Sequence, residues 1–232
     1  MKHKRTFLTI SLYFLTISCL WAGDSANFID LGFSSDGRYY MFAQYGVIAE
    51  TLKPWTEMIV VDVEKNNYAP NGRVFYAHNQ PINAGQEGSG LLYKAIAENS
   101  GLANRYKINF PSQGQPLYIA AAGDPAFDGK AIQFRDFAAG NAYEAYLSET
   151  IYGSNENGSS SFIIQLDIQY NNGRSKKVTV GTPQIKRPLV FSNRICKVLV
   201  SPDGNSMIFV IEMKRYAKNG HDIRYMVEAV RF

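Results

Sequence analysis

Histidine and cysteine are almost missing from this chain, three and two respectively among 232 residues. His3 and Cys19 fall in an N-terminal segment with the layout of an export signal, so the remainder keeps His78, His221 and Cys196. A lone cysteine excludes an internal disulfide, and stability must then come from the core. Two histidines leave few bases for a serine or cysteine nucleophile, and neither lies in a recognisable motif. The chain also lacks a Gly-x-Ser-x-Gly elbow, a glycine-rich loop ending in Gly-Lys-Ser/Thr and the alternating oxygen ligands of a calcium loop. No cofactor and no metal is implied. No low-complexity run or linker divides the sequence.

Long hydrophobic runs are limited to one. Lys2, Lys4 and Arg5 precede an uncharged, largely apolar stretch from Phe7 to Trp21, then the small residues Ala22 and Gly23, then a polar sequence from Asp24. This is the order of a secretory signal over residues 1–23, with cleavage near Ala22 or Gly23, although Leu20 is large for the minus-three position. Leu15-Thr16-Ile17-Ser18-Cys19 offers a second reading, a lipoprotein signal with a lipid anchor at Cys19, which Thr16 fits badly. An uncleaved anchor is a third, since the apolar run is slightly short for a spanning helix.

Charge of one sign is scarce once the signal is set aside. The chain is +4 overall, three of those charges lie in the signal, and residues 24–232 carry +1. The basicity is a targeting charge and gives no support for nucleic-acid binding. The length suffices for one mainly β domain over 24–232 with a sizeable core.

What the chain does contain is one pattern used twice. Phe33-Ser34-Ser35-Asp36-Gly37 leads into Tyr39 to Phe42, and Val200-Ser201-Pro202-Asp203-Gly204 leads into Ser206 to Phe209. Ile29, Leu31 and Phe33 alternate on one strand face, as do Cys196, Val198 and Val200. Ser34, Asp36 and Gly37, like Ser201, Asp203 and Gly204, supply structural turn chemistry: the aspartate bonds nearby backbone and the glycine takes positive φ. Each copy predicts a hairpin. The match continues at constant spacing, Phe42 with Phe209, Val60 with Val227 and Val63 with Val230. Related three-strand units are therefore expected at about 28–63 and 195–230, close to one repeat of a propeller-like sheet. Two unrelated hairpins sharing a turn are the plainer alternative.

Between the copies, Ser89 to Ser100 predicts one short helix, with Ser89 capping it, Leu92 and Ile96 on one face and Gly101 past its end. Extended segments follow over 106–110, 117–121, 131–137, 143–152, 162–170 and 177–180, punctuated by Gly114, Gly140, Gly158 and Gly173. Ser154 to Ser161 reads as a polar, mobile loop. The expected fold is an antiparallel meander of hairpins, propeller-like, with a β-sandwich as the alternative.

The Ser-x-Asp-Gly hairpins resemble the repeats of TolB-type β-propellers, whose repeat carries a strand, a Ser-Pro-Asp-Gly turn and an apolar strand ending in Phe. More of the chain resembles a family of predicted secreted bacterial proteins of unknown function. That likeness rests on Phe28 to Gly46, on Ile132-Gln133-Phe134-Arg135-Asp136-Phe137 with Gly140 and Tyr143, on Ser160-Ser161-Phe162, and on Val200-Ser201-Pro202-Asp203 with Ile208 to Glu212. It implies export and a single domain, and it brings no functional residue.

The remaining candidates have bland readings beside them. Gly85-Gln86-Glu87-Gly88-Ser89-Gly90 reads as a helix-entry loop rather than a phosphate cradle. Asp124, Asp128 and Gly129 read as turn residues rather than a cation loop. Arg135 and Asp136 point to opposite strand faces, so one is expected to be buried with a distant partner. Lys176, Lys177, Lys186, Arg187, Arg194 and Lys197 concentrate positive charge, with a solvated face as the default and attraction to anionic envelope components as the alternative. Tyr39, Tyr40, Tyr45, Tyr143, Tyr146 and Tyr152 are expected mostly in packing. Cys196 reads as a small buried apolar residue.

The functional expectation is an exported, non-catalytic protein, secreted or periplasmic, binding an envelope protein or cell-wall component. The alternative location is a membrane-anchored lipoprotein. The alternative function is an exported hydrolase or carbohydrate-acting enzyme using strand carboxylates, for which Glu144, Glu149 and Asp167 are the candidates and a shared cleft the requirement.

Overall fold

The computed structural model describes residues 23–121, 124, 129, 131–218 and 220–232. The export segment through residue 22, with Cys19, and Asp128 of the cation-loop reading lie outside the described residues. Among those described, β1 (Asn27–Phe33), β2 (Tyr39–Ile48), β3 (Lys53–Asp62) and β4 (Asn67–Ala77) form a first antiparallel sheet in sequence order. Helices α1 (Ser89–Glu98) and α2 (Ser100–Arg105) follow, then β5 (Gln115–Ile119). A second sheet contains β6 (Ile132–Asp136), β7 (Asn141–Tyr152), β8 (Ser159–Gln169), β9 (Ser175–Val180) and β10 (Arg187–Pro188). Its order is β10-β8-β7-β6, with β9 also on β8. The third sheet is β11 (Val190–Val200), β12 (Ser206–Ala217) and β13 (Gly220–Arg231), in the order β13-β12-β11-β5.

Three clusters of apolar side chains place these sheets. Phe33, Tyr40, Phe42 and Ile59 of the first sheet pack with Leu199, Ile208, Val210 and Val227 of the third. The opposite face of the third sheet, through Ile195, Val198, Met207, Phe209 and Ile211, packs on Phe134, Phe162, Ile164 and Leu166 of the second. The other face of the first sheet, Met41, Met58 and Val60, is covered by Leu92, Ala95, Leu102 and Tyr106 of the helical segment. The third sheet therefore lies between the other two.

Burial on both faces accounts for the near-continuous apolar runs of β2, β3 and β12, where alternation is lost. Each fully buried Phe or Ile there contributes about 2 kcal/mol relative to exposure. The second sheet has its outer face open, and β8 keeps the alternation, with Leu166 and Ile168 buried and Gln165 exposed.

β13 ends the third sheet, and its outward amides are met by side chains and backbone of the first-sheet region. Ile223 N donates to the Asp24 carbonyl at 2.8 Å, Tyr225 N to Gln44 Oε1 at 2.9 Å and Ala229 N to Asn66 Oδ1 at 2.6 Å. A row of free donors that would otherwise template another strand is thereby closed. Asp24 holds the start of the described chain against this strand: its Oδ2 accepts from Trp55 Nε1 at 2.6 Å and from Arg224 Nη2 at 2.7 Å.

The two hairpin turns make the same set of bonds. Ser34 Oγ donates to Asp36 Oδ1 and accepts from Tyr39 N at 2.9 Å, while Asp36 Oδ1 accepts from Arg38 N at 3.1 Å. Ser201 Oγ donates to Asp203 Oδ1 and accepts from Ser206 N at 2.9 Å, and Asp203 Oδ1 accepts from Asn205 N at 3.1 Å. Gly37 and Gly204 have φ of +66° and +70°. Past the turns the copies diverge. Tyr39 pairs with Asp62, yet Ser206 pairs with Arg231 rather than with Ala229, its counterpart by spacing. The β2–β3 connection is four residues long and the β12–β13 connection two, so equal spacing hides a pairing shift of two residues, which keeps every side chain on its face.

Several local expectations are corrected. One helix over 89–100 is in fact two, and Gly101 lies inside α2 rather than past a helix end. Ser89 does not cap α1: the cap position is Gly88, and Ser89 Oγ bonds Glu87. Tyr106 to Phe110 is not a strand, since Lys107 takes φ +53° and Ile108 makes one isolated bridge, to Ser34. Ser154 to Ser161 is not a mobile loop: a short 3-10 turn at Asn155–Asn157 leads into β8, and Ser160 and Ser161 are buried.

A Cβ at Gly37 would stand 3.0 Å from Asp203 Oδ2, because the two turns abut, whereas none of the described atoms lies within 4 Å at Gly204. Gly204→Val is expected to cost about 1 kcal/mol or more through its positive φ alone, and Gly37→Val a larger amount through φ and crowding together. Chemical denaturation of both variants checks the order.

Candidate ligand-binding cleft

All three sheets border one cleft of about 520 Å³. The first sheet brings Val61 of β3, Tyr68 and Arg73 of β4 and the β3–β4 turn residue Asn66. The second brings Ile185 to Pro188. The third brings Met213, Arg215, Met226 and Glu228 from alternating positions of β12 and β13. The β3–β4 turn is tight enough to put Asn66 at φ +47°, a conformation that asparagine tolerates better than most residues.

Glu228 and Arg187 form the buried wall. Arg187 Nη2 donates to Glu228 Oε1 at 2.8 Å, Asn66 Nδ2 donates to Glu228 Oε2, and the guanidinium lies 4.0 Å over the Phe162 ring. Burial pushes the Glu228 carboxyl up and the Arg187 guanidinium down, with the bonds between them and to Asn66 working against it. Such a pair is costly to desolvate and costlier to break. On the opposite wall Arg73 is paired with Glu57, whose other oxygen accepts from Gln44 Nε2 at 2.8 Å. Arg215, half-buried, makes no hydrogen bond or ion pair among the described residues. Its guanidinium is pushed down by burial and by nearby Arg224, with Asp222 and Glu57 working against the shift.

The sequence candidates are scattered. His78 and His221 are exposed; His78 bonds Gln80, and His221 meets the Phe191 ring edge-on at 5.6 Å. Cys196 donates to the Val210 carbonyl at 3.3 Å, and burial pushes its thiol up to about 12. Within the Gly85–Gly90 loop, the Glu87 carboxylate accepts from Tyr45 Oη and Ser89 Oγ, which disfavours an anion there. Asp124 accepts from Tyr118 Oη. Asp136 is buried, but its partners are local, Ala138 N at 2.8 Å and Ala139 N at 3.0 Å, rather than distant. The basic residues of the last third do not form one solvated face: Arg187 and Arg194 are held by Glu228 and Glu212, Lys177 by Asp167, and Lys186 lies 4.2 Å over the Tyr152 ring. Among the described residues no group of three or more histidine, cysteine or acidic side chains could hold a metal.

Of the three strand carboxylates, Glu144 and Asp167 are direct cross-strand partners bordering a groove of about 480 Å³ with Lys177, whose Nζ is 2.7 Å from Asp167. Glu149 is apart from them, accepting from Asn193 N and Nδ2, both at 3.0 Å. Sequence reasoning missed Asn66, Arg73, Arg215 and Glu228 as neighbours. One signal was available for Glu228, a carboxylate flanked by Val227, Ala229 and Val230.

The chain belongs to the family described as Predicted secreted protein (DUF2259), whose model matches residues 41–231 and so takes in strands of all three sheets. Comparison with curated proteins and with solved structures gives no match. No helix among the described residues is long and apolar enough to cross a membrane.

Arg187→Met is expected to lose about 3 kcal/mol or more of stability, because it leaves Glu228 buried without its cation. Adding Glu228→Gln, which can still accept from Asn66, should recover much of that loss. Urea unfolding of the single and double variants measures both.

Proposed function

We propose that this is a non-catalytic binding protein of the periplasm or cell surface, and that the cleft between the three sheets receives a component of the envelope. The observation that carries it is the cleft itself, lined by the apolar Met213, Met226 and Ile185 and by the cationic Arg73 and Arg215. That mixture of an apolar wall and a few placed polar groups is what small-ligand sites use. Among the described residues, no histidine, cysteine or serine constellation borders it. The reading takes residues 24–232 as one domain, with units 28–63 and 195–230 related by duplication, an idea supported by the matching turn bonds. It takes the layered sandwich over the propeller, because the C-terminal sheet packs between the other two. It takes cleavage of the signal over lipidation at Cys19.

The test uses Ile185→Trp, which fills the cleft from a side chain that is 55% exposed and so costs the core little. Fractionated envelope extract should raise the thermal midpoint of the wild-type protein and leave this variant unmoved. Equal shifts in both, or no fraction that shifts the wild type, would overturn the reading.

A second reading, an exported carbohydrate-acting hydrolase, is favoured by one observation: Glu144 and Asp167 share a groove. Glycoside hydrolysis needs two carboxylates flanking the bond. On this reading wild-type protein releases reducing ends from envelope polysaccharide, and Glu144→Gln or Asp167→Asn abolishes the release; an inactive wild type removes it.

A further inference from the structure

We infer that the cleft is built for an anionic amphiphile, whose carboxylate or phosphate meets Arg215 while its apolar portion lies along Met213, Met226 and Ile185. This rests on the cleft being a binding site at all, and it adds the class of ligand.

Arg215 is the reason. Every other guanidinium brought near this junction has a carboxylate: Arg187 has Glu228, Arg73 has Glu57 and Arg224 has Asp24. Arg215 has none within bonding distance among the described residues, although it stands opposite Asp222 in the β12–β13 register. Asp222 is committed elsewhere, accepting from Asp24 N at 3.0 Å and lying 3.4 Å from Arg224. Glu57 is taken by Arg73 and Gln44, and Glu228 by Arg187 and Asn66. A half-buried guanidinium that loses water without gaining a partner is unfavourable. Proximity to Arg224 adds to the cost, the charges of Asp222 and Glu57 offset part of it without bonding, and an incoming anion would relieve the rest.

The rest of the lining agrees in sign. Arg73, Lys186, Arg187 and Arg215 border the cleft against one carboxylate, Glu228, already neutralised by its own bonds. The outward amides of β13 at Ile223, Tyr225 and Ala229 are taken by Asp24, Gln44 and Asn66. Strand alternation puts the Val227 N–H on that same edge, five residues along β13 from Asp222, the partner of Arg215. The planar fork of Arg215 suits a carboxylate or phosphate oxygen. The apolar wall argues against a small inorganic anion as the whole ligand, since it would leave that surface uncovered.

The test is calorimetric titration of the exported protein, below micelle concentrations, with octanoate, octyl phosphate and neutral octyl glucoside. At least one anion should bind ten-fold or more tightly than the glucoside, and the better of the two identifies the headgroup chemistry. Arg215→Gln should abolish that preference, and Arg215→Lys should retain part of it. The thermal midpoint of Arg215→Gln without ligand should change little, because the substitution removes the repulsion with Arg224 together with the attractions to Asp222 and Glu57. Binding that is blind to charge, or a preference unchanged in Arg215→Gln, overturns this inference while leaving a cleft that binds. Failure of all three probes also overturns it, and the Ile185→Trp comparison then decides separately whether the cleft binds anything.

Discussion

Three sheets are held at one point by a single buried ion pair and its amide. Arg187 belongs to β10 of the second sheet, Glu228 to β13 of the third and Asn66 to the β3–β4 turn of the first, and all three meet at one carboxylate. Hydrophobic contact would stack these layers in many rotations, because burial is proportional to area and has little direction. A carboxylate that needs a guanidinium from one side and an amide from the other is directional. The cleft lies at this tie, with Asn66, Arg187 and Glu228 all in its lining.

The order of the layers makes demands of its own. A C-terminal sheet between the other two must be apolar on both faces, and β12 is buried from Ser206 through Glu212. Glu212 and Glu228 are accordingly paired, with Arg194 and Arg187. Its edge strand β13 is closed by Asp24, Gln44 and Asn66, residues that come from the beginning of the described chain and from the first sheet. The two chain ends are thus interdependent: the last strand is completed by residues near the first. Long-range closure of this kind is slow to form in folding, since distant segments must meet before either is stabilised.

Much of the sheet content was legible in sequence, and the reasons are local. The Ser-x-Asp-Gly turns identify themselves because serine, aspartate and glycine each satisfy a stated backbone need within five residues. β6, β7 and β8 alternate since one face of their sheet meets water. β4 was not legible, because it is an edge strand with exposed Tyr68 and Phe75 and with Pro70 and Gly72 interrupting its pattern. The helical segment misled at Ser89 and Gly101, where capping preferences gave way to packing of Leu92 and Leu102 on the first sheet. The cleft was the least legible part. Asn66 and Arg73, Arg187, and Arg215 and Glu228 come from three separate stretches of sequence, and only sheet order brings them together; spacing alone cannot reveal that one arginine among several would be left without a bonded carboxylate.

The state of Cys196 bears on life outside the cytosol. Thiol–disulfide exchange proceeds through the thiolate, and a sulfur that donates to the Val210 carbonyl and ionises only near 12 keeps almost none of that form in a neutral, oxidising medium. Within the fold, Cys196 is therefore poorly disposed to mixed disulfides or covalent dimers. That liability is confined to the interval before β11 and β12 close over the side chain.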